Sequence, residues 1–234
     1  KWLTDEFGLQ VALGNDADVA GLAEALFGAG KGLSPIFYIT VGSGIGGGLI
    51  IDQKIYRGCG RGAAEIGHLR ILHSPSFLIY SPGENRVETD YRVLESLSSG
   101  WAITHHARHG IVESLPDWPL YRLCDGKPEN VTTELVAQAA REGDPMARVC
   151  MFRAISNLAE GIRHVIALLC PKRIVIGGGV SLIGEKMFFE PLRAEVARNV
   201  FKPFAGLTDI VPAKLGEEVV VHGALALAQQ RFGE

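Results

Sequence analysis

The stretch at residues 39–51 reads ITVGSGIGGGLII, and it decides how this 234-residue chain folds. β-Branched residues on both sides of the glycines predict two buried strands joined by a turn. Five glycines occur within residues 42–48, which we interpret as a glycine loop between the strands. Such a loop lets a phosphate approach the backbone and presents N–H groups to an anion. The pattern predicts a phosphate-binding turn, with a plain glycine hairpin as the alternative.

Two other glycine motifs do not fit this stretch. A dinucleotide-binding fingerprint needs a helix directly after its glycines, whereas residues 49–51 continue as a strand. A P-loop ends in Gly-Lys followed by Ser or Thr, and no such sequence follows the glycines here. The candidate phosphate site is therefore a strand-turn-strand.

The rest of the chain alternates between helical and strand patterns. Apolar periodicity predicts helices at residues 17–27, 145–169 and 217–230, and a β-branched run predicts a strand at 172–176. Residues 74–90 carry Pro, Ser, Asn and Asp and predict an irregular surface loop. With no long linker, the pattern indicates an α/β fold with a mixed sheet flanked by helices.

Composition excludes several classes of protein. The formal net charge is −3 and no basic run occurs, so nothing favours binding of nucleic acid by this chain. No apolar run approaches the ~18 residues of a membrane span. The four Cys are far apart and form no CxxC pair, which argues against a disulfide framework and favours a reducing, cytoplasmic location.

Four segments together resemble the ROK family of sugar kinases and related repressors. They are Asn15-Asp16-Ala17-Asp18, followed by a helix with Glu24, then residues 39–48, then Glu65-Ile66-Gly67-His68, and finally residues 174–180, which read IVIGGGV. They occur in the family's order and span most of the chain. The resemblance implies an actin-like ATPase fold, which is ribonuclease H-like and of the hexokinase type.

The resemblance also implies a catalytic base. The Asp of the family's Asn-Asp pair falls on Asp16, and Asn15 beside it is expected to bind a sugar hydroxyl. A carboxylate at the start of a helix can accept the proton of a hydroxyl that attacks a γ-phosphate. Both residue types are also common helix N-caps, which is the structural alternative.

The resemblance assigns further residues to sugar and nucleotide. Glu65, His68 and Glu95 are expected to contact the sugar, although an exposed helix charge is an equal alternative for Glu95. ATP is the expected cofactor, with Mg²⁺ bound to it. The residues expected to hold the nucleotide are Thr40, Gly42, Ser43 and Gly44 near phosphate, and Gly177, Gly178 and Gly179 near adenosine.

One feature of the family is absent from the sequence. Many ROK proteins hold a structural zinc with the His of Glu-x-Gly-His and three Cys, whose positions fall near Arg86, Glu88 and Val93 here. None of the three is Cys, and tetrahedral structural zinc needs such ligands. We therefore expect no zinc.

The domain organisation implied by the resemblance is one lobe of two. The family begins with an Asp-x-Gly-Gly-Thr phosphate motif far upstream of its Asn-Asp pair, whereas only 14 residues precede Asn15. Residues 1–234 are thus expected to form the C-terminal lobe, with the N-terminal lobe missing. Because phosphoryl transfer needs positioning from both lobes, we expect this chain alone to be inactive.

Three functions follow as hypotheses. The first is ATP-dependent phosphorylation of a hexose or amino-hexose by a glucokinase-like homodimer. The second is a sugar-sensing transcriptional repressor of the same family, with its DNA-binding part absent from this chain. The third is a non-catalytic sugar-binding or dimerisation module. Asp16 and the glycine turn favour the kinase, because a sensor needs neither a base nor a phosphate site.

Overall fold

The centre of the molecule is a five-stranded mixed sheet with strand order β3-β2-β1-β6-β7. The computed structural model describes residues 2–60, 62–81, 86–111 and 116–233, with the backbone alone for 73–81 and 86–91. The β1–β2 and β2–β3 pairs are antiparallel, and the β1–β6 and β6–β7 pairs are parallel. The strands of this sheet are β1 (Ile36–Val41), β2 (Ile45–Ile51), β3 (Lys54–Ile55), β6 (Arg173–Gly177) and β7 (Asp209–Pro212). A separate hairpin consists of β4 (Arg70–Ser81) and β5 (Arg86–Val93).

Helices cover the sheet, and the longest has clear signals at both ends. Asp144 caps it by accepting from the Ala147 N–H at 2.9 Å, Pro145 occupies its first turn, and it stops at Cys170, which has a left-handed backbone. No helix of the described residues is long and apolar enough to cross a bilayer. The helices are α1 (Trp2–Phe7), α2 (Asp16–Leu26), α3 (Glu95–Ser98), α4 (Gly100–Gly110), α5 (Pro119–Leu123), α6 (Thr133–Arg141), α7 (Pro145–Leu169), α8 (Glu190–Asn199) and α9 (Val219–Phe232).

Strand β1 separates two hydrophobic cores because successive side chains point to opposite faces of a sheet. Phe37 and Ile39 belong to the larger core, which includes the buried face of α7. Ile36 and Tyr38 belong to a smaller core with residues of α2 and α9. Helix α2, which carries Asp16, therefore packs on the face that Tyr38 occupies.

The glycine loop is shorter than the sequence predicted. Strand β2 begins at Ile45 and pairs with β1, so Gly42, Ser43 and Gly44 alone form the turn. The later glycines serve packing. A Cβ on Gly48 would lie 2.8 Å from the Ala17 carbonyl oxygen, and one on Gly47 would lie 2.2 Å from that of Ala64. Their missing side chains let the start of α2 and the residue 64 loop approach β2.

The prediction of an irregular loop at residues 74–90 was wrong for the part that the structure describes. Strands β4 and β5 run through it as an antiparallel hairpin, and residues 82–85 lie outside the description. The register shifts between Leu72 and Ile79, around Pro75. Proline is tolerated at bulges of a two-stranded hairpin, so it did not prevent a strand here.

Candidate functional site

The Asn15-Asp16 pair stands at the start of α2, and its two members differ in role. Asn15 is the N-cap, with Oδ1 accepting from the N–H groups of Ala17 at 2.9 Å and Asp18 at 3.3 Å. Asp16 is the first residue of the helix, and its Oδ1 accepts from Ala17 N–H at 2.8 Å. The capping alternative is therefore confirmed for Asn15. Asp16 stays exposed to solvent.

Asp16 lies on the wall of a cavity of about 350 Å³, here termed the first cavity. The first cavity brings together Asp16 and four residues predicted to hold nucleotide, which are Thr40, Gly177, Gly178 and Gly179. Tyr38, Ser181, Glu217 and Val220 also line it. Of the described lining residues, none is Lys or Arg, so the charged side chains at this cavity are carboxylates.

A second cavity of about 480 Å³ lies beyond the glycine turn. Gly42 and Ser43 line it, and Gly179 lines both cavities. Trp101 forms part of its wall with 60% of its surface exposed, and the indole stacks on the His105 ring at a centroid distance of 5.0 Å. The second cavity thus continues the first past Gly179 and ends beside an exposed aromatic face.

Close backbone contacts hold the two glycine turns together. Gly178 has a φ of 85°, and a Cβ there would lie 2.6 Å from the Val41 carbonyl oxygen, so this position requires glycine. The Gly100 N–H at the start of α4 donates to the Gly42 carbonyl at 2.7 Å. Because these contacts link β1, β6 and α4, the walls of both cavities are set by backbone packing.

Glu95 contacts the glycine turn itself. Its Oε2 accepts from the Ile45 N–H at 2.8 Å, and a Cβ on Gly44 would lie 2.4 Å from the same oxygen. One oxygen of Glu95 therefore stabilises the turn. The sugar contact predicted for this exposed residue would therefore use its other carboxylate oxygen.

Glu65 precedes a short 3-10 helix, Ile66–His68, that packs on β2, and His68 is the last residue of that helix. A Cβ on Gly67 would lie 2.1 Å from the Ile45 carbonyl oxygen, which shows how closely this segment meets the strand. Glu65 and His68 are both exposed. Together with Asn15, Gly44 and Glu95, they are absent from the described linings of the two cavities.

Asp18 links the start of α2 to this segment electrostatically. Burial is the main cause that raises the pKa of Asp18, the charge of Arg57 opposes the rise, and the carboxylates of Glu65 and Asp16 add to it. Asp18 is 2% exposed and its Oδ1 has no hydrogen-bond partner among the described residues. Three carboxylates, those of Asp16, Asp18 and Glu65, thus share one neighbourhood.

Comparison with known proteins identifies the family. The ROK family profile matches residues 1–231. This chain belongs to the ROK family. The glucokinase of Thermotoga maritima is 32% identical over 235 residues, which are 99% of this chain and 71% of that protein. The xylose repressor of Caldicellulosiruptor bescii is 27% identical over 222 residues, which are 95% of this chain and 53% of the repressor.

Solved structures agree with the family assignment. A ROK family glucokinase from Streptomyces griseus, in complex with glucose and AMPPNP, matches with a TM-score of 0.78 and 30% identity. The match covers 97% of this chain and 71% of that one. The ROK hexokinase of Thermus thermophilus matches with a TM-score of 0.75. The predicted α/β, actin-like ATPase fold is thereby confirmed.

Several side chains that line the cavities of this ROK protein were not predicted from the sequence, among them Tyr38 and Trp101. Tyr38 could have been found from the period of two in β1, which places it on the same face as Thr40. Trp101 follows Gly100, whose contact with Gly42 is a tertiary feature without a local sequence signal. The two residues line the first and the second cavity, respectively.

The absence of zinc stays a prediction for this ROK protein. Among the residues whose side chains are described, no group of three or more His, Cys, Asp or Glu is placed to hold a metal ion. We expect metal analysis of the purified protein to find far less than one zinc per chain, because no Cys stands at the expected ligand positions. One zinc per chain that survives dialysis against a chelator would contradict this.

Proposed function

We propose that this ROK protein transfers the γ-phosphoryl group of ATP to a hexose or amino-hexose, with Asp16 as general base. The observation that carries the proposal is the exposed Asp16 on the same cavity wall as Thr40 and Gly177 to Gly179. A base and backbone that can approach a phosphate are the parts that phosphoryl transfer needs together. The glucokinase relatives support the same chemistry.

In the proposed reaction, Asp16 accepts the proton of one sugar hydroxyl. The sugar oxygen forms a bond to the γ-phosphorus, and the bond from phosphorus to the β,γ-bridging oxygen breaks to release ADP. The described lining of the first cavity has carboxylates but no Lys or Arg, and Arg108 lines the second cavity alone, so a cation bound to the phosphates would offset the repulsion beside Asp16. Mg²⁺ bound to ATP would supply that charge.

The proposed sugar site lies beside Asp16. Asn15 uses Oδ1 for the helix cap, which leaves its Nδ2 group to donate to a hydroxyl. The carboxylate of Glu65 accepts from hydroxyls, and His68 at the end of the same 3-10 helix can donate or accept. Such a mixture of donors and acceptors suits a polyol.

The proposed nucleotide path runs from the first cavity over Gly179 into the second. Gly177 and Gly178, which line the first cavity with Asp16, would lie toward the γ-phosphate. Gly42 and Ser43, which line the second cavity, would lie toward the nucleoside, the reverse of the order that the family resemblance implied. The adenine ring of the nucleotide would then reach the second cavity, where the exposed indole of Trp101 offers a stacking surface.

This path predicts a measurable effect of Trp101. Trp101→Ala is expected to raise the KM for ATP about tenfold, because stacking of a base on an aromatic ring contributes about 1–3 kcal/mol. The KM for the sugar should not change. Steady-state kinetics with ATP varied at saturating sugar measures this, and Trp101→Phe, which keeps an aromatic face, serves as the control. An unchanged KM for ATP in Trp101→Ala would mean that the adenine ring binds elsewhere.

The proposed function is tested by an assay of ADP release coupled to a spectroscopic readout. Full-length protein is incubated with ATP, Mg²⁺ and a panel of hexoses and N-acetylated hexosamines. Release that one sugar stimulates would support the kinase and identify the substrate. Sugar binding in a thermal-shift assay without any ADP release would favour the repressor instead.

The repressor is the second candidate because the xylose repressor matches nearly the whole chain. The retained Asp16 and the glycine turn distinguish the two proposals, since a sensor needs neither. The third hypothesis, a non-catalytic module, required a buried Asp16 and a closed turn. Asp16 is exposed, and Gly42 and Ser43 line an open cavity, so the geometry argues against it.

We also propose that this chain works as the C-terminal lobe of a two-lobe homodimer. On α9, near the first cavity, Val221 and Leu225 are 60% and 66% exposed, as expected of a surface that a second lobe covers. Equilibrium sedimentation of the full-length protein tests the dimer. The ADP-release assay on residues 1–234 alone tests the need for a second lobe, and clear turnover there would refute it.

A further inference from the structure

One side of α4 faces the second cavity. Trp101, Thr104 and Arg108 succeed one another at spacings of three and four residues, which places them on one side of the helix, and all three line the cavity. The adenine ring is proposed to stack on the indole of Trp101. Thr104, which is half-buried, is one turn further along the same side. It is therefore placed to meet the edge of a ring on that indole.

A chain of hydrogen bonds determines where the hydroxyl proton of Thr104 goes. The Thr133 hydroxyl donates to the Gly100 carbonyl at 2.9 Å, and a carbonyl oxygen can only accept. The Thr104 Oγ1 lies 3.0 Å from the same Thr133 oxygen. Because a hydroxyl group has one proton, and that of Thr133 is already used, Thr104 is the donor in this second bond. The Thr104 oxygen can then accept a hydrogen bond from a ligand but cannot donate one.

Backbone packing holds this chain in place before any ligand binds. The Gly100 N–H donates to the Gly42 carbonyl at 2.7 Å. A Cβ on Gly100 would lie 2.9 Å from the Gly42 carbonyl oxygen and 3.2 Å from the Thr133 Oγ1. The missing side chain of Gly100 thus lets the glycine turn and the first residue of α6 approach α4 together. An acceptor fixed in this way needs little reorganisation on binding.

Most other polar side chains of the second cavity are engaged with the backbone. The Arg108 guanidinium donates to two carbonyl groups, at 3.3 and 3.2 Å. The Thr132 hydroxyl oxygen caps α6 by accepting from a backbone N–H at 3.3 Å. Past the glycine turn, the described lining leaves two side-chain acceptors for a ligand, which are the Thr104 oxygen and the exposed carboxylate of Glu134.

We propose that Thr104 is a specificity-determining residue, whose oxygen accepts from the 6-amino group of adenine and so selects ATP over nucleotides of 6-oxopurines. Adenine carries a donor at this position, whereas guanine carries a carbonyl acceptor there. Two acceptors that face each other without a proton between them repel, so a 6-oxopurine loses the hydrogen bond and meets an unfavourable contact. The proposal deepens the kinase function and rests on it for the position of the nucleobase.

The test measures the affinities of the full-length protein for Mg-ADP and for Mg-IDP, the inosine diphosphate complex, by calorimetry. IDP carries a carbonyl at position 6 and no 2-amino group, so it differs from ADP at that position and at the adjoining N1. We expect wild type to bind ADP about tenfold more tightly than IDP, the magnitude of one hydrogen bond. Thr104→Val should bind ADP about tenfold more weakly than wild type and IDP about equally well. Thr104→Ser, which keeps the hydroxyl, should retain the preference.

Two further variants serve as controls. Thr208→Val loses a hydroxyl group that donates to the Pro171 carbonyl at 2.7 Å outside both cavities, and it should match wild type in both affinities. Glu134→Gln removes the charge of the other acceptor and should keep the preference for ADP. Loss of the preference in Glu134→Gln, with its retention in Thr104→Val, would assign the selection to Glu134 and overturn the inference.

The remaining outcomes separate this inference from the kinase proposal. Equal weakening of ADP and IDP binding in Thr104→Val would show a merely structural role for Thr104 and overturn the inference. Equal affinities of wild type for the two nucleotides would overturn it as well and leave the kinase proposal intact. Failure of wild type to bind either nucleotide would refute the nucleotide site itself, and both proposals with it.

Discussion

Asp16→Asn in the full-length protein is expected to lower kcat by about 10²- to 10⁴-fold, the usual contribution of a general base. The amide has nearly the shape of the carboxylate, so α2 and its cap at Asn15 should form as before. The variant loses the ability to take the proton of the attacking hydroxyl. Sugar binding should persist, because an amide still bonds to hydroxyl groups.

A matched control distinguishes the base from the general charge of the first cavity. Glu217→Gln removes one negative charge from the same wall and leaves Asp16 intact. We expect it to change kcat far less than Asp16→Asn does. The ADP-release assay measures turnover, and thermal shift with added sugar measures binding. Retained turnover in Asp16→Asn would eliminate Asp16 as the general base.

Glu24→Ala is expected to have the largest effect on stability. Glu24 is fully buried in α2, where Oε2 accepts from the Ala29 N–H at 2.6 Å. Its Oε1 accepts from the N–H groups of Lys214 at 2.8 Å and Leu215 at 2.9 Å. The carboxylate therefore joins the end of α2 to the segment between β7 and α9, which is 190 residues away.

Truncation of Glu24 would leave three partly buried N–H groups without this acceptor. A buried donor left without an acceptor costs about 1–3 kcal/mol, so a total loss of about 3 kcal/mol or more is expected, which corresponds to a fall in Tm of roughly 10 °C for a chain of this size. Thermal unfolding followed by circular dichroism measures it. The Tm of Glu24→Gln, which keeps one acceptor oxygen, should lie between the Tm values of wild type and Glu24→Ala. Glu142→Ala, at the exposed end of α6, is the control. A change in Tm of less than 2 °C for Glu24→Ala would contradict this role.

Glu24 and Asp16 are connected through the first cavity. Gly216 and Glu217, which follow the segment that Glu24 holds, line the cavity together with Asp16. Glu24 thus fixes both the end of the helix that carries the proposed base and the segment that leads to Glu217. Its sequence context resembles the family motif, but its contact with Lys214 and Leu215 could not be predicted from the sequence.

The sequence does not show which glycines form the turn and which allow close packing. The pattern of residues 42–48 correctly predicted a turn between two strands, but the turn ends at Gly44. Gly47 and Gly48 are in β2 because the residue 64 loop and the start of α2 approach its backbone. A glycine required by a left-handed φ and one required by a close neighbour look the same in a sequence, since both simply lack Cβ.

The sequence by itself determined the long helix α7, the strands β1 and β6 with their glycine turns, and the family. These features depend on local periodicity, caps and backbone freedom, all of which act over a few residues. Only the tertiary structure decided that Glu95 contacts Ile45, that Gly179 lines two cavities, and that Tyr38 lines the first cavity together with Asp16. Such contacts depend on how helices pack against the sheet, and packing is set by shape and distance between segments far apart in the chain.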